Sequence, residues 1–512
     1  MNFAQRFCHK FALSIVSLLC CFDRVIFKGY LAFGDDDHLN AFVDGVLKMP
    51  RKDFLPWLQR HSDTLVAHAQ EMARRAGRPY EYRQGKFNKE KFIRELLARE
   101  RLGDGLVAVL CVQETCRTVK LRWGERRPRL VFARRPQRVL YYYCLDAQFG
   151  LIHLRLQSWF PYTMQVYVNG HDWLARQMTA CRLDFVQHDN AFIALDHPAR
   201  AQQLADRFVK LPWVKRLTAW ARLINPLLTR GGWLAGMNYY WVTEQAEYST
   251  DVLFASRAKL AELYPRLLDH AAVNFSARDI LTFLGRKLHG NFQGEVLTDL
   301  KKKRCPGARV KHRMKDNWLK MYDKFGQILR VETVINNPRE FKVRRRRVRN
   351  DREQMVWCPM NKGVANLPSY QRAARAANER YLDALSVVTD PTAAYHEVSA
   401  LAESKQSAGR RYAGFNPARR DDIRLFQAVL SGEHLLRGFR NRDVRVALWG
   451  DSRDITERHR QSHRVTRLLA RLHVRGLLAR IPHTRRWRVS ALGQQVLTKL
   501  VRLHYHGLSQ AA

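Results

Sequence analysis

Residues 421–493 carry the pattern that most constrains the fold of this chain. Two amphipathic stretches, 421–433 and 438–450, predict helices because their apolar residues recur at helical spacing. A third stretch, 462–478, predicts a longer helix that stops at Gly476. Two short apolar stretches joined by a basic turn then predict a hairpin, which leads into a last helix. We therefore expect a small unit of three helices, a two-stranded hairpin and a closing helix.

This order of elements resembles the winged helix-turn-helix family. In that family the third helix enters the major groove of DNA, and the hairpin, or wing, lies along the neighbouring backbone. The resemblance implies a nucleic-acid-binding domain at 421–505, after a linker at 406–420. The binding residues that it implies at or near the start of the third helix are Arg460, Gln461, Ser462, Arg464 and Arg467, and those at the wing tip are Arg485 and Arg486. Docking to another protein is the alternative use of such a domain.

The net charge of the chain indicates a polyanionic partner. There are 89 Lys and Arg against 47 Asp and Glu, which gives a formal net charge of +42 at pH 7. A surface of this kind attracts phosphate. Two basic runs flank a predicted hairpin at 318–336 and are expected to face phosphate: Lys301, Lys302, Lys303 and Lys311 before it, and Arg344, Arg345, Arg346 and Arg347 after it. Charge alone does not separate DNA from a structured RNA, so both remain as partners.

The rest of the chain alternates short apolar strands with helical periodicity. Residues 1–198 predict an N-terminal α+β domain with a mostly antiparallel sheet, and residues 199–405 predict a central region with helices, the hairpin and the basic runs. No stretch approaches the roughly 20 apolar residues of a membrane-spanning helix. The apolar run 11–22 lacks the small-residue cleavage site of a secretory signal. Scattered cysteines without a Cys-x-x-Cys pair favour the reduced cytoplasm.

The hairpin at 318–336 combines an apolar face with a potentially reactive one. Strand alternation places Tyr322 and Lys324 on the same face as Arg330 and Glu332. A tyrosine phenol is a nucleophile only when deprotonated, and we expect neighbouring cations to favour that form. A carboxylate can hold a divalent metal against a scissile phosphate. These four residues are therefore candidate catalytic residues for phosphoryl transfer.

The same hairpin resembles the last strands of rolling-circle replication initiators and filamentous-phage replication proteins, in which a Tyr-x-Lys strand precedes an Arg-x-Glu strand. Those proteins nick one DNA strand with a tyrosine and a metal. The resemblance implies Tyr322 as the nucleophile and Glu332 as a ligand of Mg²⁺ or Mn²⁺. His289 and Glu295, in a glycine-rich turn, are further metal candidates, and we expect no organic cofactor.

The whole chain also resembles a family of multi-copy bacterial proteins, through the phrases FDRVIFKGYL, NGHDWLA and GRKLHGNFQGE and through the hairpin. This resemblance implies a mobile element without specifying an activity. The preferred function is DNA binding with metal-dependent strand nicking. The alternatives are a non-catalytic winged-helix regulator and a binder of structured RNA.

A simpler interpretation of the hairpin is that Lys320, Lys324, Arg330 and Glu332 form cross-strand ion pairs on a solvated face. Other residues could act as bases or metal ligands, although caps, turns and surface charges are their commoner roles: His171, Asp172, Glu247, Asp251 and His312.

Overall fold

A computed structural model describes residues 5–509, except 86, 124–127, 274, 287–294, 306, 350–351, 387, 389–400, 417–418, 432–433 and 435–437. The described chain contains both helices and a large, almost wholly antiparallel sheet, so the predicted α+β class is confirmed. No helix in this part of the chain is both long and apolar enough to cross a membrane.

Strands occur throughout the described chain. In chain order they are β1 (Ile15–Tyr30), β2 (Tyr80–Arg83), β3 (Gly105–Arg122), β4 (Arg129–Asp146), β5 (Gly150–Gln157), β6 (Met164–Asn169), β7 (Phe185–His188), β8 (Ala191–Leu195), β9 (Tyr240–Phe254), β10 (Val296–Cys305), β11 (Gly307–Met314), β12 (Asn317–Lys324), β13 (Ile328–Ile335), β14 (Lys342–Arg349), β15 (Arg352–Pro359), β16 (Lys405–Ser407), β17 (Arg410–Tyr412), β18 (Leu478–Arg480) and β19 (Trp487–Val489).

Helices occupy most of the remaining described chain. In chain order they are α1 (Gln5–Lys10), α2 (Asp36–Phe42), α3 (Arg51–Arg75), α4 (Lys89–Arg99), α5 (Gly170–Ala180), α6 (Pro198–Ala205), α7 (Trp213–Ile224), α8 (Arg257–Val273), α9 (Ala277–Phe283), α10 (Leu367–Leu385), α11 (Arg420–Leu430), α12 (Asn441–Trp449), α13 (Ile455–His473) and α14 (Ala491–Ser509).

Eleven strands form one large sheet in the order β10-β11-β12-β13-β9-β1-β6-β5-β4-β3-β2. Neighbours pair antiparallel except β2 and β3, which pair parallel, so the sheet is mixed. One apolar core extends from Phe7 in α1 to Val388 after α10. The boundary predicted at residue 198 falls inside this sheet and this core, because β9 and β13 pair next to β1.

The two faces of the sheet differ in burial. Along the second half of β1, Val25 and Phe27 are buried in the core, whereas Arg24, Ile26 and Lys28 are half-buried on the opposite face. Side chains alternate between the two faces of a strand, so the second face carries the polar residues of the central strands. The candidate site lies on this second face.

The predicted hairpin is present as β12 and β13. Lys320 pairs with Glu332 and Tyr322 with Arg330, so these residues share one face as expected. All eight residues of β13 are nevertheless buried, because β13 lies between β12 and β9 inside the sheet. The interpretation of this face as a solvated one is therefore wrong.

The C-terminal elements have an apolar core of their own. Residues of α11, α12, α13 and α14 pack around Phe426, Val465 and Leu497. The β18–β19 hairpin closes this unit, and Phe439 forms a bridge to Trp487 of β19 through both backbone groups. The helices and the hairpin come in the order that the sequence predicts, but α13 begins at Ile455 rather than at 462.

Candidate functional site

Three buried carboxylates meet on the central strands of the sheet. Asp23, Glu247 and Glu332 lie on the adjacent strands β1, β9 and β13, and a ligand atom of each lies within 4.8 Å of the others. A β-bulge brings Asp23 into the group, because the register of β1 against β9 shifts between Phe22 and Arg24. Bulges commonly re-aim a side chain in this way. We call these three residues the carboxylate cluster.

Arg330 joins the carboxylate cluster to a fourth acid. Its side chain is fully buried, and its Nε and Nη2 atoms each lie 2.6 Å from an oxygen of Asp251. Its Nη1 atom lies 3.2 Å from Oδ1 of Asp23. Burial acts to raise the pKa of both acids, but the charge of Arg330 together with the contacts of His171 outweighs it, so the pKa of Asp251 falls to about 2 and that of Asp23 falls below its usual range. Both carboxylates are therefore ionised at neutral pH.

Two further cations contact the glutamates of the carboxylate cluster. Lys320 Nζ lies 2.7 Å from Glu332 Oε1 and 3.8 Å from Glu247 Oε2. Arg24 donates a hydrogen bond to Glu247. Burial, and then the charge of Glu332, nonetheless raise the pKa of Glu247 to about 7. Glu247 can therefore exchange a proton at neutral pH, as a general acid or base must.

Tyr322 is hydrogen-bonded to the carboxylate cluster. Its hydroxyl donates to Glu332 Oε2 over 2.9 Å. Burial, and then the charge of Glu332, raise the pKa of Tyr322 well above its usual value. The expectation that neighbouring cations favour the phenolate is therefore wrong, because burial and a carboxylate outweigh them. The phenol keeps its proton and points it at an acceptor.

His171 closes the site from the start of α5. It is fully buried, its Nδ1 atom lies 3.2 Å from Asp23 Oδ1, and its Nε2 atom lies 3.1 Å from Nη2 of Arg330. Gly170 makes this approach of α5 to β1 feasible. A Cβ atom at Gly170 would lie 2.2 Å from the carbonyl oxygen of Phe22.

The turn between β7 and β8 covers the site from the other side. Asn190 donates from Nδ2 to Asp23 Oδ1 over 2.5 Å, and its backbone carbonyl accepts from Arg330 over 2.6 Å. The neighbouring Asp189 lies 3.5 Å from Lys324 Nζ through its Oδ2 atom. Burial lowers the pKa of Lys324. Lys324 is thus a weaker base than an exposed lysine and loses its proton more easily.

All four residues that the sequence predicts as catalytic share this face, and others join them. Glu247, Asp251 and His171, which had been secondary candidates, lie within the same network. Sequence reasoning missed Asp23. The available signal was a charged pair, Asp23 and Arg24, inside the apolar run of β1, because a buried charge is costly unless it is paired.

The predicted metal candidates other than Glu332 lie elsewhere. Glu295 is exposed just before the edge strand β10, whereas Glu332 lies on an interior strand of the sheet. His289 lies outside the described residues. His312 is buried. Its Nδ1 atom lies 2.9 Å from the hydroxyl of Thr298, and its Nε2 atom lies 2.9 Å from the hydroxyl of Tyr381. Glu295 thus lies at the sheet edge and not in the carboxylate cluster.

Both basic runs lie on strands. Lys301, Lys302 and Lys303 belong to β10, and Lys311 of β11 lies with its Nζ atom 3.7 Å from the ring centroid of Trp318. Because β10 is the terminal strand in the order of the large sheet, Lys301, Lys302 and Lys303 lie at its edge.

The β14–β15 hairpin divides the second basic run between two faces. Arg344 and Arg346 are exposed on one face, and Arg345 donates to Asn366 on the other. Arg347 follows on β14. Across the hairpin, Arg344 pairs with Trp357 and Arg346 with Met355, whose exposed fractions are 64% and 49%. The outward face of this hairpin, hereafter the ribbon face, is therefore both basic and apolar.

The predicted recognition residues lie along α13 and not at its start. Because α13 begins at Ile455, Arg460, Gln461, Ser462, Arg464 and Arg467 occupy its second to fourth turns. Arg460, Arg464 and Arg467 are exposed. Ser462 instead donates to Asn441 of α12 over 3.0 Å, and Gln461 donates to Glu457.

The turn of the β18–β19 hairpin faces the start of α12. Arg485 is exposed, and Arg486 donates to the backbone carbonyl of Gly438. A cavity of about 630 Å³ lies between this turn and the helices α12 and α13. Its lining is mostly basic: Arg440, Asn441, Arg442, Arg445, Ser462, His483, Thr484, Arg485 and Arg486. This arrangement can accept an anion.

Comparisons with protein-family models, with curated proteins and with solved structures give no match to this chain. Its chemistry is therefore argued from the geometry of the site.

Proposed function

We propose that this protein binds DNA and cleaves one DNA strand with a divalent metal ion, as a mobile-element or replication protein acting in the cytoplasm. The observation that carries the proposal is the carboxylate cluster with the hydroxyl of Tyr322 bound to one of its members. Such a buried acidic group requires compensating cations. Its rim supplies cations of the kind that hold a phosphodiester: Arg24, Lys320 and Lys324.

Asp23, Glu247 and Glu332 would hold the metal ion. Their oxygens are close enough to share one ion, and carboxylate oxygens are the ligands that Mg²⁺ and Mn²⁺ prefer. Asp23 is ionised, and Glu247 becomes so as the pH rises through about 7. A bound ion would neutralise phosphate oxygens and the charge that develops on a leaving oxygen.

Tyr322 would supply the nucleophile. Its oxygen would form a bond to phosphorus, and its proton would pass to Glu332 Oε2, which already accepts the hydrogen bond of the hydroxyl. The bond between phosphorus and the leaving sugar oxygen would break at the same time. Lys324, whose pKa is lowered, would give that oxygen its proton. The products would be a phosphotyrosine-linked strand end and a free hydroxyl end.

The C-terminal unit would bind duplex DNA as a winged helix. The order of its elements, its separate apolar core and the backbone bridge from Phe439 to the hairpin support this assignment. The exposed arginines of α13 would face the major groove, and the basic cavity beside Arg485 and Arg486 would face phosphate.

The ribbon face would hold a separated strand. Surfaces that bind single strands combine cations for the backbone with aromatic rings on which bases stack. Arg344 and Arg346 supply the cations, and Trp357 supplies the aromatic ring. A protein with this face and a winged helix could hold both forms of its substrate.

The test compares wild type with Tyr322→Phe on supercoiled plasmid and on single-stranded DNA, with Mg²⁺ or Mn²⁺ supplied. Wild type should nick the plasmid and form a DNA adduct that survives denaturation. The Phe variant should do neither while binding DNA with the same affinity, because the ring remains in place. Tyr240→Phe, at an exposed tyrosine of β9, is the matched control and should behave as wild type.

The other outcomes assign the protein differently. Equal cutting by both proteins without an adduct would make water the nucleophile and remove Tyr322 from that role. Intact DNA together with tight duplex binding would support a non-catalytic regulator. Copurifying nucleic acid that ribonuclease removes and deoxyribonuclease does not would make the partner a structured RNA.

A further inference from the structure

A cavity of about 350 Å³ opens beside the carboxylate cluster. Aromatic residues of three adjacent strands line it: Tyr143 on β4, His153 on β5 and Tyr167 on β6 lie directly opposite one another in register. The rings of His153 and Tyr167 are stacked with centroids 4.7 Å apart, and those of Tyr143 and His153 are 5.2 Å apart. Ile93 of α4 contributes another apolar wall.

Asn190 belongs both to this cavity and to the surroundings of the carboxylate cluster. Its Nδ2 atom donates to Asp23, and its Oδ1 atom is buried without a hydrogen-bond partner in the described part of the chain. Asp189, which also lines the cavity, pairs with Lys324. The cavity and the carboxylate cluster therefore share a wall that is one side chain thick.

The aromatic part of the cavity is suited to an uncharged planar ring, whereas Glu90, Arg94 and Asp189 line the rest. Burial lowers the pKa of His153 to about 4, so its imidazole is neutral. Burial also raises the pKa of Asp172, another residue of the lining. The unpartnered Oδ1 of Asn190 can accept a hydrogen bond from a ring amine or ring N–H. Stacked aromatic walls with a few polar groups are the environment that recognises an unstacked base.

We infer that this cavity binds one unpaired nucleobase of the strand that the carboxylate cluster cleaves. The inference rests on the proposed function and specifies its substrate. A base in the cavity would bring its own phosphate towards Asp23, because Asn190 both lines the cavity and contacts Asp23. A paired base cannot enter, so the cleaved position must be single-stranded or locally melted.

Filling the cavity tests the inference. Leu151 lines it, and Leu151→Trp should occupy it. Leu145 pairs directly with Leu151 and packs in the same apolar cluster but lies outside the cavity lining, so Leu145→Trp is the matched control. Affinities for a short oligothymidine and for a duplex are measured by fluorescence anisotropy on the full chain, with Ca²⁺ in place of Mg²⁺ to avoid cleavage.

We expect Leu151→Trp to weaken binding of the single strand about tenfold, the size of one lost base stack, and to leave duplex binding unchanged. Leu145→Trp should leave both unchanged. If Leu151→Trp does not fold, His153→Leu removes one stacking ring and should weaken single-strand binding several-fold.

Equal single-strand affinity of wild type and the cavity variants would overturn the inference. Thymidine monophosphate is the second probe. If Leu151→Trp weakens binding of this nucleotide but not of the oligonucleotide, the cavity is a site for a free nucleotide. The assignment of the cavity to a DNA strand is then overturned. Failure of the proposed cleavage can be distinguished from failure of this inference. If the protein does not nick DNA but Leu151→Trp still weakens single-strand binding, the cavity assignment is supported without the cleavage.

Discussion

Replacing Arg330 by methionine should destabilise the central sheet by about 3–5 kcal/mol, because it leaves the buried carboxylate of Asp251 without its bidentate partner. The pKa of Asp251 gives an independent measure of the size of this effect. A fall in the pKa of Asp251 from 3.8 to about 2 corresponds to roughly 2–3 kcal/mol of stabilisation of its charged form. Adding Asp251→Asn to the Met variant should recover part of the loss, since the unpaired charge is then gone.

Urea unfolding followed by hydrogen exchange at β9 and β13 measures this effect where it arises. In wild type the lowered pKa of Asp251 contributes stability above pH 3.8, and that contribution is lost as the pH falls towards 2. In Arg330→Met the buried acid keeps His171 nearby but no bidentate cation, so burial should raise its pKa and the variant should gain stability as the pH falls. A loss below about 1 kcal/mol at pH 7, or no recovery in the double variant, would refute the reasoning.

Three further results are expected. The pKa of Glu247 is raised from 4.5 to about 7, so its protonated form contributes roughly 3 kcal/mol to the free energy of unfolding below pH 4.5. This contribution is lost as the pH rises through 7. Plots of unfolding free energy against pH for Glu247→Gln should lack this fall. Gly170→Ala should cost about 3 kcal/mol in urea unfolding because its Cβ meets the Phe22 carbonyl, whereas Gly45→Ala, with open space around it, should cost nothing measurable. DNA affinity should fall steeply between low and physiological salt, and a nearly constant affinity in anisotropy titrations would contradict a phosphate-driven interaction.

Sequence reasoning located the hairpin correctly but misjudged its surroundings. Alternation and the turn at Gly326 were enough to place Tyr322 and Glu332 on one face. The start of α13 was missed because its first two turns are largely exposed and offer no apolar periodicity before Val465. The second basic run was read as one surface, whereas its strand conformation sends Arg345 to the opposite face from Arg344.

The sequence by itself determined the charge of the protein, its mixture of helices and strands, and the side-chain parity of each strand, because these depend on composition and on neighbours along the chain. Only the tertiary structure decided that β13 lies beside β9 and β9 beside β1. That order brings Arg330 to Asp23 across 307 positions of sequence. Burial between those strands also fixes the protonation of Tyr322, since desolvation is a property of the assembled fold and not of a residue's neighbours along the chain.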